Sequence, residues 1–475
     1  MESIINENLL TFNDIEKKIF KLACETAVRI TTKVLEMYDL HLMKSRDKKA
    51  YRCKGKRKTT IKTVYGEVTY QRNIYQISEE DGQKRFVYLL DEFLELENVG
   101  MISQNLAEQL VTGITTKSYR NCAKEVSEST GQTVSHAGVW NVIQSLGKKV
   151  SEEEKELVKA NKKGKLNGNR QAPVIFEESD GIYLRLQGED RKKSKEGKAE
   201  MKVAIAYDGW KETGKNRYRL DGKVAFAGFE KSDRFHKIRE AKISSVYDLD
   251  ETKLRILNGD GASWIKKVPD KETVFQLDPF HRNKAVKEKI HNLKAREDVM
   301  DYLNNHNLEE MFRYLEIYKD SLSDDKEISD AEELIRYFSK NKEGLIPYQQ
   351  QVKEMPECPK GLLYRNLGTM ENHIWSIVAQ RMKHGHRTWS KAGANNLAKI
   401  LAKKCEGKLH EVTEKLKKEL FEEAVVNEMI DSTLSAASIP ERVGKGYEYP
   451  VRGSVVSINE ALRGDPKKLF QLAGY

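Results

Sequence analysis

Val174-Ile-Phe-Glu-Glu-Ser-Asp-Gly-Ile-Tyr-Leu-Arg-Leu186 is the stretch from which the fold of this chain is read. It is a strand by its apolar and β-prone content, and Asp180 interrupts it. Charged side chains are seldom placed on buried strands without a task. Working outward, Lys202 to Tyr207 and Lys223 to Phe229 read as two further strands, joined by loops with Gly209, Gly214 and Gly222. Ile238 to Tyr247 reads as a helix. Leu254 to Asn258 is a fourth strand whose apolar run ends at Asp260, and Gly261 to Val268 is a short helix. Thr273 to Leu277 is a fifth strand ending at Asp278.

Three strands, helix, strand, helix, strand is the element order of a ribonuclease H-like α/β domain. In such a sheet the first and fourth strands are neighbours, which lets Asp180 and Asp260 converge. A third acid opens a helical pattern, Glu371-Asn-His-Ile-Trp375, on which Trp375, Val378 and Met382 share an apolar face. That face is expected to pack on the sheet and draw Glu371 inward. Glu371 follows Asp260 at an interval of 111 residues, because residues 282 to about 364 are charged, helical in pattern and free of strand runs, an inserted helical region.

Carboxylates gathered from two strands and a helix form a hard-oxygen site for Mg²⁺ or Mn²⁺. Such a site can hold two ions about 3.5–4 Å apart and serve phosphodiester chemistry. Plainer readings stand beside this one. Asp-Gly at 180–181 and 260–261 is also a turn dipeptide, as at 208–209 and 221–222. Glu178 shares a strand face with Asp180 and could replace it as ligand. Glu371 is also a first-turn acid that the helix dipole favours. Asp278-Pro-Phe-His281 places an acid and a histidine directly after a strand, where His281 could contact a DNA phosphate or order the metal shell. Past Glu371, the basic and aromatic residues Arg381, Lys383, His384, His386, Arg387 and Trp389 suit DNA handling.

The chain has 475 residues, 39% hydrophobic and 33% charged, with a formal net charge of +10. The length calls for several domains, and the basic balance is compatible with a nucleic-acid partner. No apolar run approaches the roughly 18 residues of a membrane span, and no secretory pattern is evident in Met1 to Asn8. The five cysteines are scattered without a Cys-x-x-Cys pair, so a cytoplasmic, reduced protein is expected.

Upstream, residues 12 to 44 read as one amphipathic helix with Thr11 and Asp14 at its start. A tract from Lys44 to Lys58 holds nine Lys or Arg against one acid. Thr59 to Tyr75 alternates around Gly66 as a β-hairpin. Ser118 to Ser129 and Ser135 to Leu146 flank a Gly-containing break, as in a helix-turn-helix whose second segment presents His136, Asn141 and Gln144.

The stretches Asp-Gly-Ile-Tyr-Leu-Arg-Leu (180–186), Gly-Asp-Gly-Ala-Ser-Trp-Ile (259–265), Asp-Pro-Phe-His-Arg-Asn-Lys (278–284) and Glu371-Asn-His-Ile-Trp375 resemble the transposases of Mutator-type elements. The closest likeness is to the IS-Lre group of prokaryotic insertion sequences, also catalogued as an uncharacterised protein family. The resemblance runs from the basic tract to about residue 405. It implies a ribonuclease H-like DDE core with an all-helical insertion, preceded by a mostly helical DNA-binding region with a β-hairpin. Asp180, Asp260 and Glu371 would be the metal ligands, and Asp278 with His281 the accessory motif. It further implies double-stranded DNA as partner, both terminal inverted repeats and target. A homo-oligomer follows from the need to hold two ends at once, and a prokaryotic host would place the protein at the nucleoid. A nuclease or resolvase that cuts without joining, or an inactive DNA-binding relic, are the alternatives.

The expected organisation is an N-terminal helix (1–45), basic tract and hairpin (46–95), helix-turn-helix-like region (96–150) and charged linker (151–172). The first part of the core (173–281), the insertion (282–364), the core helix with the third acid (365–405) and a C-terminal helix and tail (406–475) follow.

Overall fold

The computed structural model describes residues 10–78, 83–94, 101–266, 273–414, 416 and 420–437. The first eight residues and the expected Gly- and Pro-rich tail from Pro440 lie outside the described residues. The chain divides into two units, Met1–Val142 with Thr413–Tyr475, and Ile143–Val412.

In the first unit, Phe12–Ser45 is one helix started by a capping box. Thr11 accepts the Asp14 N–H, and Asp14 reaches back to the Thr11 backbone. Strands β1 (Arg52–Thr63), β2 (Gly66–Ser78) and β3 (Lys84–Val87) form an antiparallel sheet in that order. The basic tract therefore does not merely precede the hairpin. From Arg52 it is strand, and Lys54, Lys56, Arg57 and Lys58 are exposed on the edge strand β1. Leu35, Tyr38, Ile61, Val68, Tyr70 and Leu90 form the core beneath. Helices Gln104–Ile114 and Tyr119–Ser129 follow, the second capped by Ser118.

The helix that starts at His136 runs to Lys162. A helical segment through Leu146 and a charged helical linker from residue 151 were expected as separate pieces, and they are one continuous helix. No Gly or Pro occurs between Lys148 and Lys162, so the charged run continues the helix. His136 and Asn141 are exposed. Gln144 is not presented to solvent as expected: its side-chain oxygen accepts the Asn396 amide at 2.8 Å.

In the second unit, β4 (Val174–Arg185), β5 (Lys198–Tyr207), β8 (Val224–Gly228), β9 (Leu254–Gly259) and β10 (Thr273–Leu277) form a mixed sheet in the order β10-β9-β4-β5-β8. β4 pairs parallel with β9 and antiparallel with β5. The segment expected as loops between β5 and β8 is a separate hairpin of β6 (Gly209–Gly214) and β7 (Arg217–Asp221). Its Lys-, Arg- and Glu-rich strands carry little apolar alternation from which to read it. Helix Ser232–Ser244 starts earlier than expected and buries Phe235, Ile238 and Ile243. Helix Ser263–Lys266 starts two residues later than expected, and Lys267 and Val268 lie outside the described residues.

After β10 come helices Pro279–Lys289, Leu293–Asn304, Leu308–Asp320 and Asp325–Lys340. Asn292, Asn307 and Asp324 each cap the helix that follows with a side-chain oxygen, which is why one charged stretch breaks into separate helices. Val299, Leu303, Met311, Leu315 and Phe338 form the core of this insertion, continuous with Leu277 of β10. Burying each contributes about 1.5–3 kcal/mol.

Buried charges tie helices to this scaffold. Lys399, 1% exposed, lies 2.8 Å from both Glu154 and Glu230. Arg255 meets Glu177 and Glu240 beneath the sheet. No helix among the described residues is long and apolar enough to cross a membrane.

Candidate active site

Asp180 and Asp260 sit just beyond the last rung of one strand pair. The parallel register of β4 and β9 ends at Ser179 opposite Gly259, and the next residue on each side is an acid. β4 continues through Asp180-Gly181 as strand paired to β5, so that dipeptide is not a turn. Asp260-Gly261 is one, with Gly261 at φ +86°. A Cβ there would also collide with the Asn341 side-chain amide, so glycine is required where the insertion returns to the sheet. Asp208 and Asp221 stand elsewhere, sharing Arg170 at the base of the β6–β7 hairpin.

The structure brings together Asp180, His281 and Glu371, whose ligand atoms all lie within 4.8 Å of one another. His281 Nε2 is 3.4 Å from Asp180 Oδ2 and 3.8 Å from Glu371 Oε1. Asp260 stands beside this set and is not a member of it. Its Oδ1 accepts the Ala262 N–H at 2.9 Å, closing a local Asx turn. The expected trio of Asp180, Asp260 and Glu371 is thus met as Asp180, His281 and Glu371 with Asp260 alongside.

The electrostatics show an uncompensated negative cluster. Burial raises the Asp260 carboxyl above its ordinary range, and the charges of Asp180 and Asp278 add to this. Burial raises Glu371 likewise, with Asp180 adding. Burial pushes the His281 imidazole toward neutrality, but hydrogen bonding to Asp180 and the charges of Asp180, Asp278 and Asp260 outweigh it, and its pKa is raised. His281 is the basic side chain that the described residues place within 3.4 Å of Asp180 and 3.8 Å of Glu371.

Asp278 was expected at the reacting centre as half of an accessory motif. It is 2% exposed and caps the helix that carries His281. Its Oδ1 accepts the Phe280 and His281 N–H groups at 2.9 and 3.3 Å, while Oδ2 accepts Asn258 Nδ2 at 2.7 Å. Pro279 at the first helical position completes the start.

Glu178, the alternative ligand on the same strand face, is fully buried and saturated. Its Oε1 accepts Tyr207 Oη at 2.7 Å and Thr369 Oγ1 at 2.6 Å. Its Oε2 accepts Asn258 Nδ2 at 3.0 Å and the N–H groups of Gly368 and Thr369 at 3.1 and 2.9 Å. One amide, Asn258 Nδ2, therefore joins two carboxylates, one holding the start of the His281 helix and the other the start of the Glu371 helix.

The Glu371 helix is α-helical over Met370–Ile374, π-helical over Trp375–Ala379 and α-helical over Gln380–Met382. The wide turn alters the face anticipated from α-spacing. Ile377, Val378 and Met382 are buried, whereas Trp375 is 49% exposed and lies against His384. Arg381 and Trp389, expected to handle DNA, are buried against each other. Lys383, His384 and His386 are exposed in the following loop, and Arg387 is half-buried.

Tyr337 is a site residue that sequence reading missed. It projects from the insertion helix Asp325–Lys340, and its hydroxyl donates to the Asp260 carbonyl at 2.9 Å. Burial and the charges of Asp260, Asp278 and Asp180 raise its pKa. Nothing in its local sequence marks it, because the contact spans 77 residues.

The profile of an uncharacterised protein family, UPF0236, matches residues 5–419. A UPF0236 protein of Caldanaerobacter subterraneus subsp. tengcongensis, whose name joins four locus designations, is 24% identical over 432 residues, covering 84% of this chain and 83% of the relative. A second from the same organism, whose name joins eleven locus designations, has the same identity and coverage. A UPF0236 protein in the vanSb 3′ region of Streptococcus gallolyticus is 23% identical over 403 residues, 82% of each chain.

Proposed function

The chain belongs to the uncharacterised protein family UPF0236, and on that premise we propose that it is a DNA transposase. It would bind the terminal inverted repeats of a mobile element and, with a divalent ion, cleave and join DNA strands. The convergence of Asp180, His281 and Glu371, with Asp260 beside them, carries this reading. Three further observations support it. The first and fourth strands of the mixed sheet, β4 and β9, are neighbours, the adjacency on which the ribonuclease H-like reading rests. A relative named for eleven loci of one organism is what a sequence that copies itself leaves behind. The lysine-rich edge of β1 offers an exposed basic strand for phosphates.

The donor set fits a divalent ion. Two carboxylates and an imidazole nitrogen lie within coordinating reach, and burial, with the charge of Asp180 adding, raises the pKa of Glu371 and of the neighbouring Asp260, a cost that a cation relieves. Asp180 and Glu371 would hold Mg²⁺ or Mn²⁺, with Asp260 adding charge and, on rotation, an oxygen. Bound there, an ion supplies Lewis acidity toward a phosphodiester and lowers the pKa of the attacking hydroxyl. Asp278 and Glu178 fix the helices from which His281 and Glu371 project. His281 would have to be neutral for Nε2 to face the ion, since the protonated ring has no lone pair to offer there and carries a like charge.

The test uses the full chain, Mn²⁺ or Mg²⁺, and duplex DNA carrying the sequences that flank its gene. Wild type should cleave these ends and join 3′ ends to target DNA. Asp180→Asn with Glu371→Gln should abolish cleavage while binding duplex as before. Cleavage by that variant would refute the site, and hydrolysis without joining would reduce the protein to a nuclease.

A further inference from the structure

The helix that carries Glu371 has a second face. At about 100° per residue, Glu371 and His373 stand about 200° apart around it. On the His373 side opens a cavity of about 930 Å³, walled by the β6–β7 hairpin, the Arg365–Thr369 segment and the chain from Cys405 to Lys408. This volume is enough for a nucleotide.

Its charge is unbalanced. Arg170, Arg219, Lys223, Arg365 and Lys408 line it, against the carboxylates of Asp221 and Glu406. Both acids are engaged. Asp221 takes Arg170 at 2.5 Å, with Asp208 sharing that guanidinium. Glu406 accepts the Ala225 N–H at 2.9 Å and lies 3.0 Å from Lys242. Arg219 is left at 4.0 Å from Asp221 with its side chain 63% exposed, and Lys408 at 3.8 Å from Glu411. Arg365 lies flat on Tyr218, its guanidinium carbon 3.4 Å from the ring centroid. Its Nη1 has no hydrogen-bond partner among the described residues. Asn366 and Asn372 add exposed amides to the same walls. An arginine held over a tyrosine ring, beside further cations, is a set suited to phosphate.

We propose that this cleft binds a backbone phosphate of the DNA strand whose scissile bond is held at the Asp180–Glu371 site. The inference rests on the transposase reading and adds a subsite to it. One helix presents both faces, so a phosphate fixed on the His373 side sets the position of the strand relative to Glu371.

The experiment measures binding of the full chain, without divalent metal, to a fluorescein-labelled duplex of the gene-flanking sequence. Fluorescence anisotropy is read across a salt series. Lys223→Gln with Arg365→Gln should weaken binding at least about tenfold, as expected for losing charged hydrogen bonds. It should also flatten the slope of log K against log salt by about 0.9 for each phosphate that is no longer neutralised, with an unchanged unfolding midpoint. If that variant does not fold, Arg219→Gln with Lys408→Gln, at more exposed positions, is read in the same way. A folded variant with wild-type affinity and slope overturns the cleft. Should wild type bind no duplex, the transposase reading fails, and the cleft is judged with inorganic phosphate. A midpoint raised by millimolar phosphate in wild type and not in the variant keeps a phosphate site, and no rise in either removes it.

Discussion

Replacing Glu178 separates two roles that its position next to Asp180 makes easy to confuse. As an anchor, Glu178 serves five donors, and a carboxylate offers about four lone-pair sites, so none is left for an ion. Glu178→Ala strands Tyr207 Oη and one of the two N–H groups of Asn258 Nδ2, the other still held by Asp278, both in fully buried residues. At about 1–3 kcal/mol for each unsatisfied buried group, the loss is about 2–6 kcal/mol. At about 2–4 °C per kcal/mol for a unit of this size, the midpoint should fall by on the order of 10 °C. Glu178→Gln is gentler. Its carbonyl can face Asn258, Gly368 and Thr369, and its NH₂ can face the Tyr207 and Thr369 hydroxyls, which rotate to accept. The charge-assisted part of those bonds is lost, and the burial that raises the Glu178 pKa is no longer opposed, so the net change should stay within about 1–2 kcal/mol. The assays are thermal unfolding and calorimetric Mn²⁺ titration of the full chain. Glu178→Gln should keep Mn²⁺ affinity within about twofold, whereas Asp180→Asn should lose at least about tenfold. Glu178→Gln losing affinity as Asp180→Asn does, or Glu178→Ala unfolding within about 1 kcal/mol of wild type, refutes the anchoring role.

Burial lowers the His373 pKa to about 4, with a contribution from Lys223. The unfolded chain takes up this proton near pH 6.5 and the folded one only near 4, so the stability it contributes is complete above 6.5 and lost as pH falls toward 4. Between pH 7 and 4.5, wild type should lose about 2.5 kcal/mol more than His373→Gln in denaturant titrations; equal losses would contradict this. Lys399→Met leaves Glu154 and Glu230 buried without their cation and should cost about 3–5 kcal/mol, recovered in large part by adding Glu154→Gln and Glu230→Gln; a neutral single substitution would exclude the pairing. Tyr337→Phe removes one hydrogen bond to the Asp260 carbonyl, about 1 kcal/mol. Mn²⁺ titration should show up to about fivefold weaker binding, and affinity above wild type would show that the hydroxyl does not support the site.

The strands of the sheet were legible because their runs are rich in apolar, β-prone residues, and those of β5, β8, β9 and β10 are followed within two residues by an acid. Asp180 and Asp260 could be placed together because β4 and β9 pair in parallel and end at one level. The β6–β7 hairpin was not legible, since its strands are short and only Gly209 and Trp210 of them are buried. α-Helical spacing turns Trp375 inward, and the π turn that exposes it has no compositional mark. Asp278 read as chemistry and serves as a cap, a residue type and position that both roles share. Asp260 read as a third ligand, and its Asx turn on Ala262 sets it aside from the tightest cluster. Tyr337 and Arg365 are set by tertiary contacts over long separations, for which a single sequence holds no signal.

The paired residues Glu178 and Asn258 lie one same-face step below Asp180 and Asp260, about 6.6 Å along the strands. The lower pair faces across the parallel ladder, and the upper pair sits just past its last rung. At the lower level an amide and four other donors enclose the acid, and it has become part of the frame. At the upper level the amide's place is taken by a second acid, and the cluster's negative charge is only partly met. Scaffold and reaction centre in this protein are thus the same piece of architecture, finished in one case and left open in the other. Exchanging Asn258 for an acid would extend the open version downward, and with it the demand for a cation into a place that no cation can reach.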